Sequence, residues 1–317
     1  MGNLKISINA KIKSLENINN LFHKRLQNCD LCPRNCKINR LKGKIGYCGV
    51  GKEMLIYTAF LHHGEEPPIS AKRGSGAIFF SGCNLKCVYC QNYKFSHLLQ
   101  GRIFKEEELA KLMCDLQEKG AHNINLVTPT HVLPQIINAL LLAFKKGLNI
   151  PLVYNTSGYE KKEIIEQLSE IIDIYLTDIK YISSRLAGEY SSALNYPLFA
   201  RESTLVMYDQ KKTPFFHIGQ LKQGLIIRHL VLPGHNTETK AVASWVKKNT
   251  PQALLSIMFQ YQPYHKAAVF PEINRRLDYH EYQEIKSFVE KIGLKGWIQH
   301  WPCQEEELAG VNFNPFS

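Results

Sequence analysis

Long apolar runs are missing from this sequence of 317 residues. A membrane-spanning helix needs about 18 consecutive apolar residues, and no segment provides them. The first residues, Met1–Lys5, do not lead into the apolar segment of a secretory signal. Ile6 stands where a myristoylation signal that begins at Gly2 requires Ser or Thr. We therefore expect a cytoplasmic protein without a membrane partner.

Runs of like charge are also missing, although the chain is basic overall. It has 39 Lys and Arg residues against 28 Asp and Glu residues, a formal net charge of +11, but no five or six basic residues are consecutive. This charge could neutralise nucleic-acid phosphates or attract an acidic protein partner. Because it is spread along the chain, a solvated surface explains it best, and a nucleic-acid partner is not indicated.

Internal repeats and low-complexity tails are absent as well, and composition divides the chain into three segments. Residues 1–72 are an N-terminal cysteine-rich segment. In it, a short helical lead-in over residues 1–28 precedes a stretch, 29–72, that is rich in Cys, Gly and Pro and is predicted to be built from loops. Residues 73–300 form the core, and residues 301–317 form a C-terminal tail.

Apolar strand-like runs alternate in the core with amphipathic helical patterns, which predicts βα units around a parallel sheet. Six units with right-handed crossovers give an α/β fold, a partial (βα)6 TIM-like barrel with an N-terminal cysteine-rich cap. Its active site should lie at the carboxyl ends of the strands. The predicted strands are Ala77–Ser81, Ile124–Thr128, Leu152–Asn155, Ile174–Ile179, Leu225–Leu232 and Leu255–Gln260. The predicted helices are Lys105–Lys119, Val132–Lys146, Glu160–Glu170, 195–210, 238–249 and His280–Lys291.

Cysteine, by contrast, is abundant, with nine residues. Thiols stay reduced in the cytoplasm, so disulfides are not expected. Seven of the nine lie in two tight groups, which indicates ligation of a metal or a cluster. Of the other two, Cys114 is predicted to lie in the core of a helix, and the role of Cys303 is left open.

The group Cys83-x3-Cys87-x2-Cys90 follows directly after the first predicted strand of the core. Three thiolates can ligate three irons of a [4Fe-4S] cubane and leave the fourth iron open, whereas four thiolates would make an electron carrier. A structural zinc site needs a fourth protein ligand, and His97 is the one nearby candidate. The spacing therefore favours a cluster with an open iron over a zinc loop.

This spacing, with the aromatic Tyr89 before the last cysteine, closely resembles the signature of the radical S-adenosylmethionine (SAM) superfamily. The resemblance implies that SAM chelates the open iron. It implies further that the reduced cluster cleaves SAM to a 5′-deoxyadenosyl radical, which abstracts a hydrogen atom from the substrate. Tyr89 would then pack against the adenine of SAM.

Four later segments resemble elements of pyruvate formate-lyase activating enzyme and its relatives. They are Asn155-Thr156-Ser157-Gly158, Asp178-Ile179-Lys180, Arg228-His229-Leu230-Val231-Leu232-Pro233-Gly234 and Tyr264-His265-Lys266. Each follows or ends a predicted strand. The resemblance implies that Asn155, Thr156 and Asp178 bind SAM.

The same resemblance assigns three residues to the catalytic group. Lys180 and His265 would position SAM, and Arg228 would face its carboxylate. On the residues alone, Asp178 and Lys180 could instead be a strand-end ion pair, Arg228 a buried structural arginine and His265 a loop histidine.

One element of the superfamily is missing. Where most members carry Gly-Gly-Glu after the second strand, this chain has Thr128-Pro129-Thr130-His131, which offers carbonyls and hydroxyls to the SAM ammonium but no carboxylate. We expect Thr128 to bind SAM, and His131 to be either a site residue or the start of a helix. Together with Tyr261-Gln262-Pro263-Tyr264, this segment resembles the PflX-type branch of activating-enzyme-like proteins.

The second group, Cys29-x2-Cys32-x3-Cys36-x11-Cys48, supplies four thiolates. Such a set can bind a saturated second [4Fe-4S] cluster, which would suit electron delivery or substrate anchoring, or a structural zinc ion. A mixed or incomplete site is the third alternative. The PflX-type branch begins with a similar block. Between the groups, the segment His62–Pro68 resembles the linker of that branch, which would line the active-site mouth; it could also be a polar loop.

These residues support three hypotheses. The first is a radical SAM oxidoreductase that activates a glycyl-radical enzyme as its protein substrate and takes electrons from a flavodoxin- or ferredoxin-type reductant. The second keeps this chemistry but acts on a small molecule or an RNA base. The third is a non-catalytic iron–sulfur or zinc protein. Release of 5′-deoxyadenosine separates the third from the others, and a glycyl radical in a partner separates the first from the second.

Overall fold

The computed structural model describes residues 7–301 and 313–315. Its strands are β1 (Met54–His62), β2 (Ser75–Phe80), β3 (Arg102–Phe104), β4 (Ile124–Val127), β5 (Leu152–Thr156), β6 (Ile174–Asp178), β7 (Phe215–His217), β8 (Gln220–Leu230), β9 (Leu254–Met258), β10 (Gly296–Gln299) and β11 (Phe313–Pro315). Its helices are α1 (Ile8–Arg25), α2 (Pro67–Ser70), α3 (Tyr93–Ser96), α4 (Glu106–Glu118), α5 (Leu133–Lys145), α6 (Lys162–Glu166), α7 (Ser184–Ser191), α8 (Tyr196–Gln210), α9 (Asn236–Asn249) and α10 (Tyr279–Ile292). None of the helices in the described ranges has the length and hydropathy to cross a membrane.

The strands form one open sheet. Within the described ranges its order is β11-β10-β9-β8-β6-β5-β4-β2-β1-β3, and β7 pairs with β8. The pairs from β2 to β10 along this path are all parallel. The α/β class with a mostly parallel sheet is therefore confirmed. The prediction of six strands missed β10, a segment of only four residues.

The prediction that residues 29–72 are built from loops is wrong for part of that stretch. Met54–His62 forms β1, which pairs antiparallel with β2 and, at its start, with β3. The run is apolar and rich in β-branched and aromatic residues, which favours a strand. It was hidden because the Cys, Gly and Pro residues around it dominate the composition of the stretch.

The N-terminal helix α1 brings the second cysteine group onto the body of the protein. Ser7 caps it by accepting a hydrogen bond from the Ala10 amide, and Leu15, Ile18 and Phe22 are buried on its inner face. This face packs against α5. The helix ends at Arg25, shortly before Cys29, so the cysteine loop starts beside the sheet.

One predicted helix is much shorter in the structure. Glu160–Glu170 was expected to be helical, but only Lys162–Glu166 has α-helical structure. The Glu160 side chain turns inward and accepts hydrogen bonds from Thr130 and Thr156, which holds its backbone outside the helix. The other predicted core helices agree with the observed ones to within two residues. Cys303 lies outside the described residues.

The segment His62–Pro68 lies at the amino end of the parallel strands. The adjoining helix α2 buries Ile69 in a cluster that includes Val153, Ile174 and Leu254, which stand at or near the starts of β5, β6 and β9. Asn123 Nδ2, just before β4, donates a hydrogen bond to the Ile69 carbonyl at 2.8 Å. The prediction that this segment lines the active-site mouth is therefore wrong, because the mouth lies at the carboxyl ends.

Candidate functional site

The loop after β2 carries the first cysteine group to the carboxyl edge of the sheet. Gly82 opens this loop with φ of 91°, and a Cβ there would lie 2.7 Å from the Cys48 carbonyl oxygen, so only glycine fits. Behind it, Cys83, Cys87 and Cys90 line one cavity together with the ends of β4, β5, β6 and β8. The predicted convergence of these elements is thus present.

The three thiols lie in a poorly solvated environment. Burial raises the pKa of Cys83 and Cys87, and raises that of Cys90 to about 11; the positive charge of Lys180 acts in the opposite direction on all three. A metal centre would supply the further positive charge that the thiolates need. In the part of the chain that the structure describes, no three His, Cys, Asp or Glu side chains are close enough to bind a single ion. A cubane does not require this, since each thiolate binds a different iron.

Two serine hydroxyls contact the thiols. Ser191 Oγ donates a hydrogen bond to Cys87 Sγ at 3.0 Å, and Ser96 Oγ lies 3.2 Å from Cys90 Sγ. Such hydrogen bonds to sulfur adjust the potential of an iron–sulfur centre.

A cluster of charged side chains faces the thiols across the cavity. Asp178 Oδ2 accepts from Lys180 Nζ at 2.6 Å, and its Oδ1 accepts from Arg228 Nε at 2.9 Å. Arg228 Nη2 also donates to Asn155 Oδ1 at 2.6 Å. Burial alone would raise the pKa of Asp178, but the two cations lower it below its usual value. The cluster therefore presents a carboxylate and two cations to the same space.

Two buried glutamates of the segment His62–Pro68, Glu65 and Glu66, lie below this cluster rather than at the mouth, and neither was predicted individually as a site residue. Glu65 Oε1 accepts from Asn125 Nδ2 at 2.9 Å, and its Oε2 lies 3.6 Å from Arg228 Nη1. Burial raises the pKa of the neighbouring Glu66 to about 7, and its Oε2 has no hydrogen-bond partner among the described residues. Their partners are far away in the sequence; the doubled glutamate before two prolines was the one available signal.

The ends of β4 and β5 contribute polar groups to the cavity. Thr128 has φ of 60°, unusual for a β-branched residue, and its amide donates to the Asn155 carbonyl at 2.8 Å. Thr128, Asn155 and Thr156 all line the cavity. Behind them, burial raises the pKa of Glu160 to about 7. This carboxyl, which also was not predicted as a site residue, accepts a hydrogen bond from the Thr156 hydroxyl.

Tyr89, the predicted adenine contact, lines a second cavity that adjoins the first. Its side chain is buried, and Asp178 and Lys180 line both cavities. Its hydroxyl lies 2.5 Å from that of Tyr181, which fixes the ring. This arrangement leaves a ring face, rather than a free hydroxyl, for contact with a ligand.

The two candidate histidines lie apart from the charged cluster. His265 stacks on Tyr93 with ring centroids 5.0 Å apart, and the residues that line the two cavities include its neighbour Tyr264 but not His265. His131 is buried, and its Nε2 lies 2.8 Å from the Ser81 carbonyl oxygen. His131 also lies in the 3-10 turn Thr130–Val132 that leads into α5, so the structure favours the alternative that it starts a helix, and its contact with Ser81 supports the cysteine loop.

The second cysteine group forms a compact loop beside the first. A Cβ on Gly46 would lie 3.6 Å from Cys36 Sγ and 3.7 Å from Cys48 Sγ, so these sulfurs share a small space. Burial, with smaller contributions from neighbouring Cys48 and Cys29, raises the pKa of Cys32 to about 12. The thiols therefore suit a shared metal centre that would compensate their charge.

Comparisons with known proteins show which sequences this chain is similar to. The family model of the radical SAM superfamily matches residues 77–196. An uncharacterized protein of Methanocaldococcus jannaschii is 33% identical over 278 residues, which cover 84% of this chain and 76% of that protein. A candidate glycyl-radical enzyme activating enzyme of the same organism is 34% identical over 111 residues, 34% of this chain and 44% of that protein.

A solved structure, that of methylornithine synthase, aligns with a TM-score of 0.44 at 11% identity, over 93% of this chain and 76% of that one. The family match begins in β2, includes the cysteine loop and extends through α7. The similarity to the first M. jannaschii protein spans most of both chains. The chain belongs to the radical SAM superfamily.

Proposed function

We propose that the protein is an enzyme that cleaves SAM reductively, with its [4Fe-4S] cluster on Cys83, Cys87 and Cys90. When bound, the cluster supplies the electron that converts SAM to a 5′-deoxyadenosyl radical. One observation carries the proposal: the three thiols and the charged residues Asp178 and Lys180 line the same cavity. Three thiols leave one iron of a cubane free for a ligand, and the charged residues are suited to the zwitterionic end of SAM.

The charged cluster would orient that end of SAM. The Asp178 carboxylate, kept ionised by its two cations, is the acceptor for the SAM ammonium that the missing Gly-Gly-Glu element would otherwise provide. Lys180 and Arg228 are the donors for the SAM carboxylate. Arg228 is held in place from below by Glu65.

Polar groups at the strand ends would hold the rest of SAM. The Asn155 amide and the Thr128 hydroxyl belong to residues that line the cavity and can bond the ribose and the methionine part. Thr156, whose hydroxyl is held by Glu160, can contribute its backbone. Tyr89 offers its ring to the adenine. His265 stays a prediction, since a movement of its loop would be needed to bring it to the cavity.

The test is anaerobic reconstitution followed by detection of 5′-deoxyadenosine after addition of dithionite and SAM. We expect product from the native protein and from Cys114→Ala, whose thiol lies on α4 away from the cavity. We expect none from Cys83→Ala. A protein that is loaded with cluster but releases no 5′-deoxyadenosine would refute the proposal.

We propose further that the substrate is a protein on which the enzyme generates a glycyl radical. The partial similarity to a candidate glycyl-radical enzyme activating enzyme supports this, as do the four segments shared with the activating enzymes. An electron paramagnetic resonance (EPR) doublet from an oxygen-sensitive glycyl radical in a co-purified partner would support it. Hydrogen abstraction from a small molecule or RNA, without such a radical, would contradict it.

A further inference from the structure

The two cysteine groups are in direct backbone contact. The Cys83 amide donates a hydrogen bond to the Cys48 carbonyl at 3.3 Å. Gly82 makes this approach possible, since a Cβ there would collide with that same oxygen. A centre on the second group would thus lie beside the SAM cluster, with one hydrogen bond joining their ligand loops. Such a short path suits electron transfer, and a purely structural site would not require it.

A buried arginine lies next to the second group without a carboxylate partner. The Arg40 side chain is fully buried. Its Nε donates to the Gly51 carbonyl and its Nη1 to the His131 carbonyl, both at 2.7 Å, and Nη1 lies 4.0 Å from Cys29 Sγ. Its Nη2 has no hydrogen-bond partner among the described residues.

Such a cation requires an anion nearby. A buried, uncompensated charge is strongly destabilising, and carbonyl oxygens satisfy only part of the requirement. Four thiolates around a metal centre carry a net negative charge at the place that Arg40 faces. Arg40 is therefore positioned as the counter-ion of a loaded four-cysteine centre.

The surface over this group is basic and partly apolar. Cys36 is only partly buried, whereas Cys29, Cys32 and Cys48 are buried. The exposed side chains on the loop are Asn35, Lys37, Lys42, Lys44, Ile45 and Tyr47. The Arg34 guanidinium lies 3.8 Å from the Tyr47 ring centroid and adds to the positive charge. This surface complements an acidic protein that presents an apolar rim.

We propose that the four-cysteine group holds a redox-active [4Fe-4S] cluster that accepts electrons from an acidic carrier protein and passes them to the cluster on Cys83, Cys87 and Cys90. The proposal rests on the proposed function for the second of these steps. One electron leaves the carrier, reduces the four-cysteine centre from the 2+ to the 1+ state, and then reduces the SAM cluster by the same amount. The carrier is a flavodoxin or a ferredoxin, and it ends oxidised by one electron.

The first test examines the centre without the SAM cluster. In the full chain carrying Cys83→Ala, Cys87→Ala and Cys90→Ala, we expect about four irons and four sulfides per protein and an EPR signal on reduction. One zinc without iron would overturn the proposal. If this variant does not fold, the metal content of the native protein distinguishes a cluster from zinc. We expect about eight irons per protein, whereas four irons and one zinc would overturn the proposal. Neither readout depends on cleavage of SAM.

The second test addresses Arg40 as a positioning residue. Arg40→Met removes a positive charge beside the centre, so reduction, which adds negative charge, becomes harder. We expect a more negative midpoint potential for that centre in Arg40→Met than in the native protein, with a smaller shift in Arg40→Lys. Equal potentials in all three proteins would contradict the counter-ion role.

The third test separates docking from chemistry. The variant Lys42→Glu/Lys44→Glu should slow flavodoxin-driven SAM cleavage several-fold and leave dithionite-driven cleavage unchanged. The control Lys248→Glu/Lys291→Glu makes the same charge change on α9 and α10, which precede and follow β9 in the chain; β9 lies toward the opposite end of the strand order from β1. Equal slowing by both variants, or none by either, would overturn the docking surface. If the native protein with dithionite does not cleave SAM, the proposed function is refuted instead. The metal count and the EPR signal would still show whether the four-cysteine group holds a [4Fe-4S] cluster.

Discussion

Asp178 is the residue on which the charged cluster depends, because it bonds both Lys180 and Arg228. In Asp178→Asn, Lys180 loses its ionised partner and Arg228 keeps the longer ion pair with Glu65, 3.6 Å away, so we expect the free energy of unfolding to fall by about 3 kcal/mol. SAM binding should be lost at the same time. Urea denaturation and equilibrium dialysis with labelled SAM would measure the two effects.

The effect of this substitution should depend on pH. The pKa of Asp178 is lower in the folded protein than its usual value, so the stabilisation is present above the usual pKa. It is lost as the pH falls through the lowered one. We therefore expect the native protein and Asp178→Asn to reach equal stability only in acid, at a pH below about 4. A difference that already disappears well above that pH would contradict the assignment.

Glu160 should show the opposite pH dependence. Burial raises its pKa from the usual 4.5 to about 7, so the folded state holds the proton more tightly, and stability falls as the pH rises between these values. In Glu160→Gln this loss, roughly 3 kcal/mol, should disappear. Denaturation of the metal-free proteins at pH 5 and pH 8 would measure it. If the free energy of unfolding changes by the same amount between these pH values in the variant and in the native protein, the prediction is contradicted.

At this scale the sequence identified the residues that lie close together along the chain. The spacing of Cys83, Cys87 and Cys90 was sufficient to predict the family and that the three thiols lie together. It could not identify Glu65 or Glu160, because what makes them part of the site is burial beside residues from other elements. The doubled glutamate before two prolines is only a weak local signal, and Glu160, before a helix, has no local feature that distinguishes it from a solvated glutamate.

At the scale of elements, the turn after β5 determines how closely β5 and β6 end together. Gly158 has φ of 81°, and a Cβ there would overlap the Asp178 carbonyl oxygen. Gly147, after α5, also has a positive φ, 97°, but a Cβ there would meet nothing within 4 Å. The two positions therefore share backbone strain and differ in steric contact.

We expect Gly147→Ala to destabilise the protein by about 1 kcal/mol, through strain alone. Gly158→Ala should destabilise it by at least about 2 kcal/mol more and should displace Asp178, so that 5′-deoxyadenosine production falls strongly. Thermal denaturation and the SAM-cleavage assay on both variants would test this. Similar behaviour of the two variants would show that the contact with Asp178 is unimportant.

The elements themselves were predictable where periodicity continued over many residues. Helices α4 and α5 and the buried strands β4 to β6 have strong patterns, and their predicted bounds differ little from those observed. β1 was missed because its neighbours dominated the composition, and β10 because it is short. The predicted helix at Glu160–Glu170 is mostly non-helical because a buried side chain at its start has partners elsewhere.

At the scale of the whole molecule, alternation of strands and helices was sufficient for the α/β class and for placing the site at the carboxyl edge. It could not show that the two cysteine groups touch, since Cys48 and Cys83 are separated by β1 and β2. That contact arises from the antiparallel pairing of these strands, which returns the chain to the same edge. The open sheet order is likewise a property of the assembled strands.

The net charge of +11 leads to a last prediction. If the basic surface around Cys36 recruits an acidic carrier, electrostatic attraction should control the encounter, and salt should weaken it because screening shortens its range. We expect flavodoxin-driven reduction to slow several-fold between about 0.05 M and 0.3 M salt. Reduction by photoreduced deazaflavin, which is small and is not steered by protein charge, should change little. Stopped-flow absorbance would follow both rates, and equal salt dependence would show that charge on the protein surface has no part in electron delivery.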